Sequence, residues 1–194
     1  GTRAVRSDVP LLGRAGEMQA LLGALDLACA GTGRLVLLQG TAGIGKTRLA
    51  SALAVAAAQR GALVLWGQCW EAGGAPAFWP WRQAIRTFMR GADASTVAGI
   101  GGPGLSDVAR IAPELRGTAP GAADEPLADS VGARFRIFEA TAAFFRAMAA
   151  QRPVVLILDD LHAADEPTLL LLRFVAAEIA TSHLLVLALS RDDE

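Results

Sequence analysis

The chain has 194 residues, and its 18 lysines and arginines nearly balance its 19 aspartates and glutamates, for a net charge of −1. This balance argues against a segment that binds nucleic acid or an anionic membrane through bulk electrostatics, and the length suggests one domain. No apolar run reaches the ~18 residues that a membrane span needs, and residues 1–10 lack the apolar core of a signal peptide. We therefore expect a cytoplasmic protein whose Cys29 and Cys69, which lack metal-ligand spacing, stay reduced.

The first third of the chain predicts a β-α-β unit. Apolar residues at helical spacing predict a helix over residues 11–30, and a Gly-Thr-Gly stretch ends it. An apolar strand over 34–39, a glycine-rich loop over 40–45, an Ala- and Leu-rich helix over 46–60 and a second strand over 62–66 follow. This order of elements implies a parallel sheet.

Residues 68–129 are predicted to form an irregular insertion of helices and loops. Pro80 is typical of the first turn of a helix, here one that runs to about residue 90, and a short helix is expected over 106–115. Four tryptophans and several phenylalanines give the chain its large apolar side chains. We interpret the aromatic segment 66–81 as lid and core packing rather than as a ligand cage.

The last third returns to alternating strands and helices. We predict an amphipathic helix over 130–151, a strand over 154–158, a helix over 167–180 and a fourth strand over 184–189. The whole pattern indicates an α/β fold of three layers, in which helices flank a mostly parallel central sheet.

Residues 40–47 match G-x-x-x-x-G-K-[ST], the phosphate-loop (P-loop) or Walker A pattern. Its glycines allow backbone N–H groups to turn inward around an anion, and the next helix points its positive end at the same place. The lysine would reach the β- and γ-phosphates, and the threonine hydroxyl would bind Mg²⁺. The alternative is a glycine-rich turn with an incidental lysine. The predicted nucleotide contacts are Gly40, Thr41, Ala42, Gly43, Ile44, Gly45, Lys46, Thr47 and Arg48, with Thr47 also a metal ligand.

Lys46 is the only lysine in a chain that contains 17 arginines. Such a composition favours arginine at every cationic position. A wide planar guanidinium does not fit a tight loop that needs one compact ammonium beside phosphates. The exception therefore supports a working nucleotide site.

Asp159 and Asp160 follow the apolar strand predicted at 154–158, which is the Walker B arrangement. Ligands collect at the carboxyl ends of parallel strands. Asp159 would therefore hold Mg²⁺, usually through water, and Asp160 would polarise the attacking water. The alternative is that the two aspartates only cap a turn or a helix.

Further polar residues follow the third and fourth strands. His162 either senses the γ-phosphate or a neighbouring domain or, more simply, is a loop histidine with a local hydrogen bond, and Asp165 is predicted to be a helix N-cap. If the fourth strand lies between the two Walker strands, Ser190 and Arg191 would face the γ-phosphate; the alternative is a solvated turn. The predicted catalytic residues are thus Lys46, Asp160 and Arg191.

With these motifs, the chain resembles the AAA-type ATPase domain of signal-transduction ATPases with numerous domains (STAND), especially the version in large ATP-binding regulators of the LuxR family. The resemblance covers nearly the whole chain. It rests on Leu12 to Glu17, the phosphate loop, Gly67 to Glu71, Pro80-Trp81, Arg152-Pro153, Asp159 to His162 and Ser190 to Asp192.

The resemblance implies that Gly13 and Arg14 lie beside the adenine and ribose, although a surface ion pair with Glu17 is an alternative for Arg14. Two departures from the family pattern matter. Ala163 stands where many relatives have tryptophan, and Asp160 stands where vigorous AAA ATPases use glutamate. The shorter acid implies slow hydrolysis, which suits a switch.

Residues and resemblance together predict an ATP-binding, weakly hydrolysing switch domain of a multidomain bacterial signalling or transcriptional regulator, with residues 1–194 as a single P-loop ATPase domain. Its expected cofactors are ATP or ADP and Mg²⁺. Its expected partners are its own downstream domains and a second copy on ATP binding, without direct nucleic-acid or membrane binding by this segment. We expect the last strand and the regulatory lid to lie beyond residue 194. Alternatives are a P-loop small-molecule kinase and a non-catalytic interaction module.

Overall fold

The computed structural model describes residues 14–71, 74–118 and 131–192. Gly13 and the start of the helix predicted from residue 11 lie outside these ranges. The described elements follow the predicted order. They are α1 (Ala15–Cys29), β1 (Arg34–Gln39), α2 (Lys46–Gln59), β2 (Leu63–Gln68), α3 (Trp79–Met89), α4 (Ala94–Gly101), α5 (Leu105–Ile111), α6 (Val131–Gln151), β3 (Val154–Asp159), α7 (Glu166–Glu178) and β4 (Leu184–Ser190), with short 3-10 turns at Gly102–Gly104, Pro113–Gly117 and Leu161–Ala163.

The four described strands form one parallel sheet in the order β1-β4-β3-β2. The fourth strand therefore lies between the two strands that carry the Walker motifs, which is the condition that the sequence analysis set for Ser190 and Arg191 to face a γ-phosphate. In the register, Gln39 lies beside Ser190, and Gln68 lies beside Asp159. Because all strands run in the same direction, the residues that follow their carboxyl ends meet at one edge of the sheet.

The two central strands, β3 and β4, are buried on both faces, which explains their continuous apolar sequences. Side chains alternate between the faces because the strand period is two residues. On one face, Val155 and Leu187 pack against α1 and α2. On the other face, Leu156 and Val186 pack against the larger group of α3 to α7. The structure thus has the predicted three-layer α/β fold.

The segment between β2 and α6 holds more helix than the sequence predicts. Besides the helix predicted from Pro80 to about residue 90, the sequence analysis expects one short helix at 106–115, whereas the structure has α4 at Ala94–Gly101, α5 at Leu105–Ile111 and a 3-10 turn at Pro113–Gly117. The helix α4 was missed because it contains two glycines and is rich in small residues. Its start is fixed by Asp93, whose carboxylate accepts a hydrogen bond from the Thr96 N–H at 2.8 Å.

The start of α3 packs directly on β2. A Cβ added at Gly67 would lie 2.2 Å from the Pro80 carbonyl oxygen, so only glycine fits where the helix meets the strand. Trp81 is fully buried and packs edge-on against Phe145, with ring centroids 5.6 Å apart. Trp70, in contrast, is 58% exposed. None of the described helices is long and apolar enough to cross a membrane.

Candidate nucleotide-binding site

The phosphate loop connects β1 to α2, as its sequence pattern requires. Gly43 and Gly45 have φ values of 75° and 96°, in the left-handed region that favours glycine, and a Cβ at either position would meet open space. Gly45 is the N-cap of α2, and it has no side chain to satisfy the first N–H groups of the helix. The loop therefore leaves backbone donors and the positive helix end available to an anion.

The Lys46 ammonium lies over this loop. It donates hydrogen bonds to the carbonyl oxygens of Gly40 and of Thr41, the latter at 2.9 Å. These contacts bring the positive charge back from the start of α2 to the first residues of the loop. The loop thus combines a compact cation with backbone donors, which is the donor set that phosphate groups require.

The two Walker motifs meet through one hydrogen bond. Thr47 Oγ1 donates to Asp159 Oδ2 at 3.0 Å, and the Asp159 side chain is largely buried. Burial raises the pKa of the Asp159 carboxyl above its usual 3.8, and the neighbouring Asp160 charge raises it further. Hydrogen bonds from the Asp160 N–H and Thr47, together with the Lys46 charge, lower it. Hydroxyl and carboxylate oxygens are the ligands that Mg²⁺ prefers, so these two side chains fit the metal of a bound Mg-nucleotide.

Asp160 follows Asp159 but points to different partners. Its backbone has a φ of 55°, which turns the chain sharply after β3, and its N–H donates to Asp159 Oδ1 at 2.9 Å. Its own carboxylate accepts a hydrogen bond from Gln68 Nε2 at 2.9 Å. Sequence reasoning named Gln68 only within the stretch Gly67 to Glu71 of the family resemblance and gave it no role. The sequence feature that could have indicated a role for Gln68 is a polar residue at the end of an otherwise apolar strand, which lies next to β3.

Arg191 lies at the same edge of the sheet. Its Nη2 atom lies 2.6 Å from Glu71 Oε1 and 3.9 Å from Asp160 Oδ1. His162 Nε2 lies 3.0 Å from the same Glu71 oxygen, so this carboxylate joins two side chains. Sequence reasoning named Glu71 only as part of the family resemblance and gave it no role. The sequence feature that could have indicated Glu71 is its position as an acid shortly after β2, whose last residue pairs with Asp159.

Glu71, Asp160 and His162 offer ligand atoms within 4.8 Å of one another, which is the spacing of a possible metal site. The Arg191 guanidinium, however, already lies beside both carboxylates and supplies the positive charge of the cluster. An arginine in this position would repel a second cation. The arrangement therefore fits an ion-pair network better than a metal centre.

Ser190 and Asp192 connect β4 to the phosphate loop. Ser190 lies beside Gln39, the last residue before the loop, and its hydroxyl donates to the Arg191 carbonyl at 3.2 Å. The Asp192 N–H donates to the Gly40 carbonyl oxygen at 3.4 Å. These contacts bring Arg191 to the first residue of the loop.

Arg14 also contacts the loop. Its Nη2 donates to the Ile44 carbonyl oxygen at 2.8 Å, and its Nη1 lies 3.4 Å from Glu17. The ion pair weighed in the sequence analysis is therefore present, together with a contact that sequence reasoning did not predict. Ala42 lies within the loop and Arg48 in the first turn of α2, whereas Gly13 lies outside the described residues.

A cavity of about 260 Å³ opens beside these residues and is lined by Gln68, Cys69, Trp70, Glu71, Asp160 and Arg191. Burial raises the pKa of the Cys69 thiol to about 12, and the charges of Asp165, Asp160 and Asp159 add to this effect. The thiol therefore stays protonated at neutral pH and is a poor nucleophile.

Asp165 performs the capping role that the sequence predicts. Its carboxylate accepts hydrogen bonds from the Thr168 N–H at 2.8 Å and from the Thr168 hydroxyl at 2.9 Å, at the start of α7. His162 contacts Glu71, which is distant in sequence, rather than making the local hydrogen bond that the simpler interpretation favours.

A comparison with known protein families matches residues 10–187 to the family described as AAA ATPase domain. A search of curated proteins gives no match. The family match spans the phosphate loop, the two aspartates at the end of β3 and most of β4, and it agrees with the parallel sheet. The chain therefore belongs to the AAA ATPase domain family and has a P-loop fold of the α/β class.

Proposed function

We propose that this chain is an ATP-binding, slowly hydrolysing switch domain of a multidomain bacterial signalling or transcriptional regulator of the STAND type. The observation that supports it best is a continuous set of polar contacts. This set runs from the phosphate loop through Thr47 and Asp159 to Asp160, Arg191 and Glu71. It links the part of the site that holds phosphates to residues that could respond to them.

In this proposal each part of the site has one role toward Mg-ATP. The N–H groups of the loop and the Lys46 ammonium hold the phosphates. Thr47 and Asp159 orient the metal, and Mg²⁺ when bound supplies charge neutralisation of the phosphate oxygens. Arg14, with its hydrogen bond to the Ile44 carbonyl, steadies the loop and would contact the nucleoside.

Slow hydrolysis follows from the surroundings of Asp160. Its side chain is short, and its carboxylate is already engaged by the Gln68 amide. An acid that polarises water must have an oxygen free to accept the water's proton. The amide holds Asp160 Oδ2 and leaves Oδ1 able to accept a proton, but it restrains the short carboxylate, which favours a long-lived ATP state.

The switch itself would be the rearrangement of Arg191 toward a terminal phosphate. Because Arg191 follows β4 and its neighbour Asp192 contacts the phosphate loop, its movement could be passed to following domains of the same protein or to a second copy. A cytoplasmic location is part of the same proposal.

Calorimetry with Mg-ATP and phosphate-release assays test the proposed function. We expect the 1–194 chain to bind Mg-ATP, to be stabilised by it on thermal melting and to release phosphate slowly. Asp160→Ala should retain binding and reduce phosphate release by about 100-fold, a typical contribution of a general base. Asp26→Ala, which removes an exposed partner of Arg60, is the control and should change neither.

Three outcomes would contradict the proposal. The absence of both heat and thermal stabilisation would favour the non-catalytic module. ATP consumption that depends on an added small-molecule acceptor would favour the kinase. Unchanged phosphate release in Asp160→Ala would remove this residue from the mechanism.

A further inference from the structure

Glu71 is the acid that holds Arg191 in the structure. The Arg191 Nη2 atom lies 2.6 Å from Glu71 but 3.9 Å from Asp160, its other acidic neighbour among the described residues. The same Glu71 oxygen lies 3.0 Å from His162 Nε2, which fixes the carboxylate from a second side. Glu71 is therefore the main partner of the guanidinium at this edge of the sheet.

The backbone next to this ion pair contacts the phosphate loop. Arg191 follows Ser190, which lies beside the last strand residue before the phosphate loop, and Asp192 hydrogen-bonds the first residue of that loop. Asp160 is connected to α2 by two hydrogen bonds, from its own N–H to Asp159 and from the Thr47 hydroxyl to Asp159. Arg191 is thus within the polar network of the site, and Glu71 reaches it from the end of β2.

A carboxylate and a terminal phosphate compete for the same guanidinium. Arginine donors match phosphate oxygens as well as carboxylate oxygens, and the phosphate carries more negative charge. The side chains of Arg191 and Glu71 are 40% and 50% exposed, so solvent screens the pair and makes it weak enough to exchange. A nucleoside diphosphate lacks the phosphate that would make this exchange.

We propose that Glu71 is a specificity-determining residue that limits the preference of this site for a nucleoside triphosphate over a diphosphate. In the free and diphosphate-bound states Glu71 keeps Arg191, and a triphosphate must displace it. Its negative charge also opposes the terminal phosphate directly. This inference rests on the proposed function, because it requires that the phosphate loop binds nucleotide.

The test compares Mg-ATP and Mg-ADP affinities by calorimetry in the wild-type chain and in Glu71→Gln. The variant should raise the ratio of the ADP dissociation constant to the ATP dissociation constant about threefold, within the range that an exposed ion pair supports. The gain should come from tighter ATP binding, with the ADP affinity nearly unchanged. A purely structural role would change both affinities alike.

Glu178→Gln is the matched control. Glu178 pairs with Arg146 at 3.0 Å, and the two side chains are 43% and 41% exposed, close to the values for Glu71 and Arg191. The Glu178→Gln variant removes the same kind of exposed ion pair, and it does so between α6 and α7 rather than beside the phosphate loop. The affinity ratio should therefore stay at the wild-type value.

A double-mutant cycle tests whether Glu71 acts through Arg191. With Arg191→Ala already present, Glu71→Gln should change the ratio less than it does in the wild-type background. If Glu71→Gln does not fold, Glu71→Asp is the second variant, and we expect a smaller change in the same direction.

The outcomes separate the inference from the proposed function. Equal changes for ATP and ADP, an unchanged ratio in Glu71→Gln, or an equal effect with Arg191→Ala present would overturn the role of Glu71 while nucleotide binding stands. A wild-type chain that binds neither nucleotide would overturn the proposed function and this inference with it.

Discussion

The helices α2 and α7 both begin after a strand of the sheet, but among the described residues a side chain caps the N–H groups only at the start of α7. Each helix follows a strand of the parallel sheet, α2 after β1 and α7 after β3, and each presents free N–H groups at its start. At α7, the Asp165 carboxylate accepts from the Thr168 N–H at 2.8 Å. At α2, the N-cap is Gly45, and no side chain among the described residues caps the helix.

The difference shows how one fold can contain a helix end that only stabilises the structure and another whose N–H groups are open to a ligand. A carboxylate cap satisfies the N–H groups and neutralises the positive helix end from within the chain. A glycine cap with a φ of 96° leaves both for an anion that comes from outside. The α2 end therefore forgoes a stabilising cap, and a bound phosphate would take its place.

The largest expected effect is at α2. Replacing Lys46 by Ala removes the cation beside the uncapped helix end, and we expect ATP affinity to fall about 10- to 100-fold, the contribution of a charged hydrogen bond. Thermal stabilisation by ATP should be lost at concentrations that stabilise the wild-type chain by several degrees. Calorimetry and thermal melting measure both.

Two companion variants sharpen this prediction. Lys46→Arg keeps the charge, but its wide guanidinium should also weaken binding because the loop is tight. Arg60→Ala, which lies at the other end of α2 and pairs with Asp26, should leave affinity unchanged. Retained ATP affinity in Lys46→Ala would sink the phosphate-loop assignment.

The next effect concerns the metal. Asp159→Asn should retain ATP binding and weaken the affinity for Mg²⁺ about 10- to 100-fold, as when an outer partner of a metal site is lost. Titration of Mg²⁺ into the ATP-bound protein measures this change. Unaltered Mg²⁺ dependence would exclude Asp159 as a contact of the metal or of its bound water.

The same variant should make the nucleotide-free protein slightly more stable at pH 7. The pKa of Asp159 is raised above its usual 3.8 in the folded protein, so the folded state binds this proton more tightly than the unfolded state does. Wild-type stability therefore falls as pH rises from 3.8 through the raised pKa. Melting curves should show that the advantage of Asp159→Asn shrinks as the pH is lowered toward 4. A stability difference between the variant and the wild type that stays constant across this pH range would contradict the raised pKa of Asp159.

The smallest effect is at α7. Asp165→Ala should cost about 1 kcal/mol of stability, as expected for a lost N-cap, and lower the melting temperature by about 2–4 °C. Its ATP affinity should stay within twofold of wild type because its helix end serves only the fold. A large loss of ATP affinity would erase the contrast between the two helix ends.

Much of the fold could be predicted from local patterns. Continuous apolar runs indicated all four described strands, and the strand-loop-helix order fixed a parallel sheet. The helix α4 could not be predicted, because Ala94–Gly101 is held by the cap at Asp93 and by packing of Val97 and Ile100 in the core rather than by a strong helical pattern. In such a segment tertiary packing outweighs propensity.

The candidate site divides in the same way. Four of its residues belong to motifs that residue type and spacing along the chain identify: Lys46, Thr47, Asp159 and Asp160. Gln68 and Glu71 stand in no such motif, and their roles rest on contacts with Asp160, 92 positions away from Gln68, and with His162 and Arg191.

The sequence by itself determined the α/β class, the phosphate loop with its single lysine and the acids after the third strand, because these depend on residue type and spacing along the chain. Only the tertiary structure decided which acid holds Arg191 and which amide holds Asp160. Those choices depend on a parallel sheet that brings the carboxyl ends of separate strands together. No local pattern records which side chains will then lie within hydrogen-bonding distance.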